Sequence, residues 1–208
     1  KVRILPDFKQ YSTSSVSIQT IGQVPVMNVG RLPLDRIENR ILKRIFDVTF
    51  SVLFFCTFGL ILFPIIALLI KLTSKGPVIF KQERWGLNNE TLTCYKFRTM
   101  VQESEDMDED GHYLQAQKGD PRITRIGAFL RKTNLDEIPQ FGHVVMGEMS
   151  LVGPRPERQY YIDQIKAQAP HVKKLLRVRP GITSWGQVKY GYAENVEQMV
   201  QRLKYDVL

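Results

Sequence analysis

The strongest pattern in this chain is an unbroken apolar stretch from Val48 to Ile70, which contains no charged side chain. As a helix rising 1.5 Å per residue, it would be roughly 34 Å long. The hydrocarbon core of a bilayer is about 30 Å thick, so a helix of this length can cross it. The pattern therefore predicts a membrane helix.

Basic residues flank the apolar stretch on both sides: Lys43 and Arg44 before it, Lys71 and Lys75 after it. Such residues mark the cytoplasmic side, and a straight span would put one of the two flanks on the opposite side. A helix that enters the membrane, bends and returns to the same side leaves both basic flanks on the cytoplasmic side. Gly59 and Pro64 lie near the middle, and proline kinks helices. We therefore predict a re-entrant helix over 43–75 that kinks at these two residues.

The remaining pattern predicts an α+β protein that is mainly helical. Short strands are expected at 2–6 and 24–30, and an amphipathic helix at 34–47 runs into the apolar stretch. Two strand-like segments, 78–86 and 91–100, are joined by "LNNE", which predicts a β-hairpin. Helices are expected within 120–150, over 158–178 and from residue 194, with Asp120 as a helix N-cap.

The predicted helix at 158–178 is amphipathic. Tyr161, Ile162 and Ile165 lie beside basic residues, namely Lys166, Lys173 and Lys174. An apolar face of this kind either packs into a protein core or lies in the plane of a membrane surface. The fold class that we predict includes amphipathic interface helices of the second kind.

Charge changes this picture, because the chain is strongly basic. Its formal net charge is +8, from 29 basic and 21 acidic residues. Six of the acids lie within 103–110, so the rest of the chain carries 29 basic against 15 acidic residues, a balance of +14. Such a surface favours anionic partners. Nucleic acid is not favoured, since the chain has an apolar membrane segment and none of the known nucleic-acid-binding modules.

The candidate chemistry begins with two adjacent acids, Asp136 and Glu137, between a basic run and Pro139. Neighbouring helical residues point in different directions, so these carboxylates cannot act on one bond from opposite sides. An ionised Asp near arginines can attack phosphorus, and the neighbouring Glu can hold a divalent cation. The alternative is a solvated pair at the end of a helix.

Two further segments are candidates for phosphate chemistry. In a strand over 95–100, Lys96 and Arg98 lie on one face, where they either contact a diphosphate or extend from a half-buried strand. The segment 106–110, "DMDED", contains the D-x-D pattern that holds metal and nucleotide in many glycosyltransferases. Any acidic loop can produce the same pattern. Neither cysteine has the spacing of a zinc site or of a disulfide framework.

Six ordered segments resemble the bacterial sugar transferases that are monotopic polyprenyl-phosphate phosphoglycosyl transferases. They are "KRIFD", "GPVIFKQERWG", "YKFRTM", "DPRITRIGAFLRKTNLDEIPQ", "MSLVGPRPE" and "RPGITSWGQV". The resemblance covers about 43–208. It implies three regions: the tail of a preceding soluble domain with a linker helix over 1–42, the re-entrant helix over 43–75, and a C-terminally truncated small cytosolic catalytic domain over 76–208.

The resemblance also implies an activity. Such enzymes transfer a sugar-1-phosphate from a UDP-sugar to undecaprenyl phosphate with Mg²⁺, at the cytoplasmic face of the bacterial inner membrane. The product would be the first lipid-linked intermediate of a surface glycan such as an exopolysaccharide or O-antigen. Longer members can pair, so a homodimer is among the expectations. Some members bend the membrane helix at a Ser-Pro pair, which would fall at Gly59 and Leu60 here, whereas this chain has Pro64.

By similarity, Asp136 is the nucleophile that forms a phosphosugar intermediate, and Glu137 helps to hold Mg²⁺. Arg131 would contact the lipid phosphate, and Arg155 and Lys96 would contact phosphate as well. Two rival functions are retained. One is a conventional metal-dependent glycosyltransferase that uses 106–110 and releases UDP, and the other is a non-catalytic membrane scaffold that binds anionic lipid.

Overall fold

The computed structural model describes residues 16–21, 24–29, 34, 36–101, 119–169, 175–193 and 195–206. The chain forms two compact units, which meet in sequence between Ile45 and Phe46. In the first unit, strands β1 (Val16–Ile21) and β2 (Val24–Val29) form an antiparallel hairpin. β2 confirms the strand predicted at 24–30, and the strand predicted at 2–6 lies outside the described residues.

One long helical segment runs from Ile37 to Thr73, and its length and composition are sufficient to cross a membrane. It consists of α1 (Ile37–Phe54), a π-helical turn (Phe55–Gly59) and α2 (Leu60–Thr73). π-turns are common points of irregularity in helices. Gly59 ends this turn, and a Cβ there would lie 2.6 Å from Cδ1 of the Phe55 ring.

The predicted apolar helix is therefore confirmed, and its helical irregularity is a π-turn that ends at Gly59. Pro64 lies within α2. Re-entry into the membrane, with Gly59 and Pro64 as the kink, stays a prediction.

One face of α2 packs against the rest of the second unit. Ile66 and Ile70 are buried with Phe97, Leu130 and Ile138. Full burial of each such side chain stabilises the fold by about 1.5–3 kcal/mol. The other face is exposed, and its large apolar residues include Leu60, Ile61, Leu68 and Leu72. One side of α2 thus packs against the protein, and the other side is apolar enough to contact lipid.

The predicted hairpin is confirmed. Strands β3 (Ile79–Trp85) and β4 (Thr91–Phe97) pair antiparallel, with Trp85 opposite Thr91. The connection is a short 3₁₀ turn in which Asn88 and Asn89 have positive φ angles of 56° and 67°. Asparagine is among the residues that adopt this left-handed conformation most readily, which explains why the chain turns here.

The other elements complete a mainly helical α+β fold, as predicted. β5 (Ser150–Val152) pairs parallel with β6 (Gly181–Thr183). The remaining helices are α3 (Arg125–Thr133), α4 (Gln140–Met146), α5 (Gln159–Gln168), α6 (Trp185–Tyr190) and α7 (Val196–Asp206). Asp120 is not the N-cap of α3, because it binds Arg122 instead. Thr124 is the cap, and its hydroxyl accepts a hydrogen bond from Gly127 N–H.

The structure corrects the interface prediction for the segment 158–178. Ile162 and Ile165 of α5 are buried, and Ile165 packs with Met199 and Leu203 of α7. Tyr161 packs against the same cluster. The apolar face of α5 therefore belongs to the protein core and cannot lie in lipid. Lys173 and Lys174 lie outside the described residues.

A buried carboxylate ties α1 to β5. Asp47 is only 3% exposed. Its Oδ2 accepts a hydrogen bond from the Ser150 hydroxyl at 2.8 Å, and its Oδ1 accepts from Leu151 N–H at 3.3 Å. Breaking such a buried bond costs about 1–3 kcal/mol because a polar group is left unsatisfied. The contact fixes the position of β5, which leads directly into the segment 153–157.

Gly127 of α3 provides a test of how closely this helix approaches the segment that follows β4. A Cβ at Gly127 would lie 1.9 Å from the Thr99 carbonyl oxygen, whereas a Cβ at Gly142 of α4 meets nothing within 4 Å. We expect Gly127→Ala to reduce the free energy of unfolding by about 1–3 kcal/mol through overpacking. The matched change Gly142→Ala should stabilise α4 by about 0.5–1 kcal/mol. Thermal unfolding in detergent measures both effects. Equal melting temperatures of Gly127→Ala and the wild type would contradict the close approach at Gly127.

Candidate active site

Asp136 and Glu137 lie in a short 3₁₀ turn, Leu135–Glu137, between α3 and α4. Asn134 ends α3 in the left-handed conformation, with φ of 55°. Its N–H still bonds to the Arg131 carbonyl, so the chain leaves the helix abruptly. Pro139 then occupies the N-cap position of α4, where its missing N–H costs nothing. Local sequence thus places both acids in a tight connection.

Glu137 forms an ion cluster with two cations from different parts of the chain. Its Oε1 lies 2.5 Å from Lys96 Nζ of β4 and 3.4 Å from Arg155 Nη2. The exposed fractions of the Glu137, Lys96 and Arg155 side chains are 12%, 18% and 20%. The structure therefore brings together three of the residues predicted for the site.

The two adjacent acids differ in their electrostatics. Burial alone raises the pKa of Glu137, but the charges of Arg155 and Lys96 outweigh it and hold that pKa below its ordinary value. Burial also raises the pKa of Asp136, and here the nearby charge of Lys96 opposes burial without overcoming it. Asp136 is 9% exposed. Its ionised form is thus less favoured than that of its neighbour, and its role as nucleophile stays a prediction.

A small pocket lies beside the ion cluster: its enclosed space is about 10 Å³, room for about one water molecule, and the volume reaches about 210 Å³ only when open solvent is included. Its lining residues are Arg84, Cys94, Lys96, Glu137, Gln140, Arg155 and Pro156. Three of these carry a positive charge and one carries a negative charge. A pocket with this balance suits a phosphate-bearing anion.

Four of the lining residues were not predicted as site residues: Arg84, Cys94, Gln140 and Pro156. Gln140 is 3% exposed, and its amide can both donate and accept hydrogen bonds. It follows Glu137 by three positions, the spacing that places side chains on the same side of a helix. That spacing is the signal by which the sequence could have identified it.

Glu157 connects the pocket to α7. Its Oε2 lies 3.4 Å from Arg84 Nη1, and its Oε1 lies 2.5 Å from Arg202 Nη2. Arg84 Nη1 also donates to the Pro156 carbonyl at 3.1 Å. These contacts hold the segment 153–157, and therefore Arg155, between the hairpin and α7. The sequence does not reveal this link because Arg84 and Arg202 are 73 and 45 residues away.

The other predicted site residues have different surroundings. Arg131 donates from Nε to the Thr99 hydroxyl at 2.8 Å. Arg98 donates from Nη2 to the Ser74 carbonyl and hydroxyl, each at 2.9 Å, and from Nη1 to the Lys75 carbonyl. Arg98 therefore binds the carbonyls at the end of α2, where a cation is favoured. Substrate binding by both residues stays a prediction, and the acids at 106–110 lie outside the described residues.

Glu137 is the residue predicted to hold Mg²⁺, and a phosphate ligand would have to supply further oxygens to the metal. Within the described part of the chain, no group of three or more His, Cys, Asp and Glu side chains could hold a metal ion. Mg²⁺ commonly takes one or two carboxylates and completes its octahedron with water and substrate phosphates. Both described bonds of Glu137 end on the same oxygen, Oε1. Glu137 together with substrate phosphates could therefore hold Mg²⁺, and this metal site stays a prediction.

Comparison with known proteins identifies the family. The model of the family described as "Bacterial sugar transferase" matches residues 38–208, and this chain belongs to that family. A relative from Aeromonas hydrophila, named UDP-N-acetylgalactosamine-undecaprenyl-phosphate N-acetylgalactosaminephosphotransferase, is 45% identical over 141 residues. The match covers 67% of this chain and 32% of the relative.

Several relatives are named UDP-glucose:undecaprenyl-phosphate glucose-1-phosphate transferase. The protein from Klebsiella pneumoniae is 41% identical over 69% of this chain and 30% of its own length. The protein from Xanthomonas campestris pv. campestris is 35% identical over 99% of this chain and 42% of its own length. The chain thus spans about a third of the length of the relatives from Aeromonas hydrophila and Klebsiella pneumoniae.

The raised pKa of Asp136 gives a prediction about stability. Above its raised pKa, the buried carboxylate of Asp136 is charged, and this charge reduces the stability of the folded protein. Below the ordinary pKa of an aspartate, Asp136 is protonated in both the folded and the unfolded protein, so the destabilisation disappears. We expect Asp136→Asn to increase the melting temperature at pH 7, by an amount that decreases as the pH falls. Asp163→Asn, at a side chain 59% exposed, is the matched control and should change little. A lower melting temperature for Asp136→Asn at pH 7 would contradict the electrostatic account.

Glu157 gives a second prediction. Glu157→Gln leaves Arg202, whose side chain is 4% exposed, without its charged partner. Removing one member of a buried pair costs about 3–5 kcal/mol, so a large drop in melting temperature is expected. Glu90→Gln, at an exposed residue in the connection between β3 and β4, serves as the control. A melting temperature within one degree of wild type would show that Glu157 does not hold this segment.

Proposed function

We propose that this chain transfers a sugar-1-phosphate from a UDP-sugar to undecaprenyl phosphate, releases UMP and starts the synthesis of a surface glycan. The substrates are those named for the relatives, and the observation that carries the proposal is the position of Asp136. A buried carboxylate with a raised pKa adjoins the Glu137 ion cluster, beside a cationic pocket. This arrangement provides a nucleophile next to groups that bind phosphate.

In the first step, a carboxylate oxygen of Asp136 attacks the phosphorus that carries the sugar. A new O–P bond forms, and the phosphoanhydride bond to the uridine phosphate breaks. UMP leaves with the bridging oxygen and the electron pair of that bond. The sugar phosphate is then held on Asp136 as an acyl phosphate.

In the second step, a phosphate oxygen of undecaprenyl phosphate attacks the same phosphorus. The acyl phosphate bond breaks, and its electron pair returns to Asp136 as a free carboxylate. The product is undecaprenyl diphosphate sugar, and no net proton is required. Because the nucleotide product leaves before the lipid reacts, the kinetics should be ping-pong.

The other residues bind and orient the phosphates. Lys96, Arg155 and Arg84 line the pocket, and we expect them to neutralise the phosphate oxygens. We assign Arg131 to the phosphate of the lipid, because it lies near Asp136 at the end of α3. Mg²⁺ held by Glu137 and the diphosphate would supply further positive charge to the phosphate oxygens.

The membrane helix suits a lipid substrate. The exposed apolar face of α2 and the basic residues at both ends are consistent with the cytoplasmic face of the inner membrane. We propose that the helix re-enters this face at the irregular region between Gly59 and Pro64, so that the phosphate of undecaprenyl phosphate meets the site at the membrane surface.

Product analysis tests the proposal. Detergent-solubilised protein is incubated with undecaprenyl phosphate, Mg²⁺ and each of several UDP-sugars, including UDP-glucose, UDP-galactose and UDP-N-acetylgalactosamine. We expect UMP with one of them, which also names the sugar. Asp136→Asn should reduce turnover by about 10³-fold or more, as loss of a nucleophile does, while Asp163→Asn should retain it.

Two outcomes would contradict the proposal. Release of UDP instead of UMP would favour a conventional glycosyltransferase that uses the acids at 106–110. Near-normal turnover by Asp136→Asn would remove this residue from the role of nucleophile.

A further inference from the structure

The charges around the pocket are unequal, and Glu137 is placed to offset them. Arg84, Lys96 and Arg155 face the pocket, and Glu137 is the one acid among its lining residues. Lys96 and Arg155 are both largely buried, and their described ion pairs end on the same oxygen, Glu137 Oε1. A buried cation without an anion is costly, so Glu137 stabilises both cations.

A nucleoside diphosphate would need the same two cations. Its phosphate oxygens would occupy positions close to that of Glu137 Oε1, between Lys96 and Arg155. Two anions cannot share these cations without strong repulsion, because charges interact strongly in a largely buried site. The carboxylate must therefore give up its partners when a phosphate binds.

We propose that Glu137 occupies the place of a substrate phosphate in the unliganded protein and exchanges partners when a nucleoside diphosphate binds. Lys96 and Arg155 pass from the carboxylate to the phosphate oxygens, and the released carboxylate takes a divalent cation that accompanies the ligand. The inference rests on the proposed function for the class of ligand. It adds that Glu137 keeps binding weak until a cation is present.

Exchange of partners by Glu137 and simple metal binding by Glu137 predict different effects when this residue is replaced. If Glu137 only held the metal, replacing it would weaken binding with Mg²⁺ and leave metal-free binding unchanged. If Glu137 also holds Lys96 and Arg155, replacing it makes both cations available to the phosphates. Glu137→Gln should then bind a metal-free diphosphate more tightly than the wild type does.

The experiment is calorimetric titration of UDP into the detergent-solubilised chain, with either EDTA or Mg²⁺. For the wild type, we expect Mg²⁺ to tighten binding by about tenfold or more, where tenfold corresponds to about 1.4 kcal/mol. For Glu137→Gln in EDTA, we expect a dissociation constant about tenfold lower than that of the wild type in EDTA, with little further gain from Mg²⁺. Glu90→Gln makes the same charge change at an exposed position and should behave like the wild type.

Glu137→Asp separates charge from size. It retains the negative charge in the pocket, so its binding in EDTA should stay weak. Weak binding by Glu137→Asp and tight binding by Glu137→Gln together would identify charge as the cause. Tight metal-free binding by both variants would overturn the proposal, since loss of bulk would then be sufficient.

The proposal remains falsifiable if Glu137→Gln does not fold. Inorganic pyrophosphate can be added to the wild type, and the rise in melting temperature compared in EDTA and in Mg²⁺. We expect a rise of several degrees with Mg²⁺ and almost none without it. Equal rises, or equal UDP affinity of Glu137→Gln and wild type in EDTA, would show that Glu137 does not compete with phosphate.

These measurements do not depend on turnover. The binding difference in a chain that releases UDP instead of UMP would support exchange and contradict the proposed reaction. UMP formation without the binding difference would do the reverse.

Discussion

The ion cluster of Glu137, Lys96 and Arg155 is the interaction on which the rest of the site depends. It joins the connection between α3 and α4, the strand β4 and the segment that follows β5. Three mostly buried charges can be maintained only when each has an opposite partner at close range. The fold therefore has to deliver Lys96 and Arg155 to the same carboxylate oxygen, and the surrounding contacts serve that requirement.

Those contacts form a continuous path from the long apolar helix to the site. Asp47 on α1 holds β5, and the segment after β5 carries Arg155. Glu157 then fixes the end of this segment against Arg84 of the hairpin and Arg202 of α7. A helix long and apolar enough to cross a membrane is thus connected to the cationic pocket by buried polar contacts. For an enzyme whose acceptor is a lipid, this connection would fix the distance between the membrane surface and the reacting carboxylate.

The sequence predicts what depends on local pattern, and it does not predict what depends on distant partners. Alternation and a turn rich in asparagine predict the β3–β4 hairpin, and the dyad is visible as adjacent acids. By contrast, Glu157 is meaningful only through residues far away in the chain. Both Asp120 and Thr124 suit an N-cap, and Asp120 instead pairs with Arg122. A helix in a protein core and a helix at a membrane surface can have the same apolar pattern. Only the packing of α5 on α7 shows that its apolar face lies in the core.

The central claim is that Asp136 becomes covalently attached to the sugar phosphate. The most direct measurement is mass spectrometry of the intact protein after incubation with its UDP-sugar and Mg²⁺, without undecaprenyl phosphate. The account predicts an added mass equal to one sugar phosphate, located on the peptide that contains Asp136 and removed when the lipid acceptor is added. UMP formation that depends on the lipid in every turnover, with no adduct on this peptide, would contradict it.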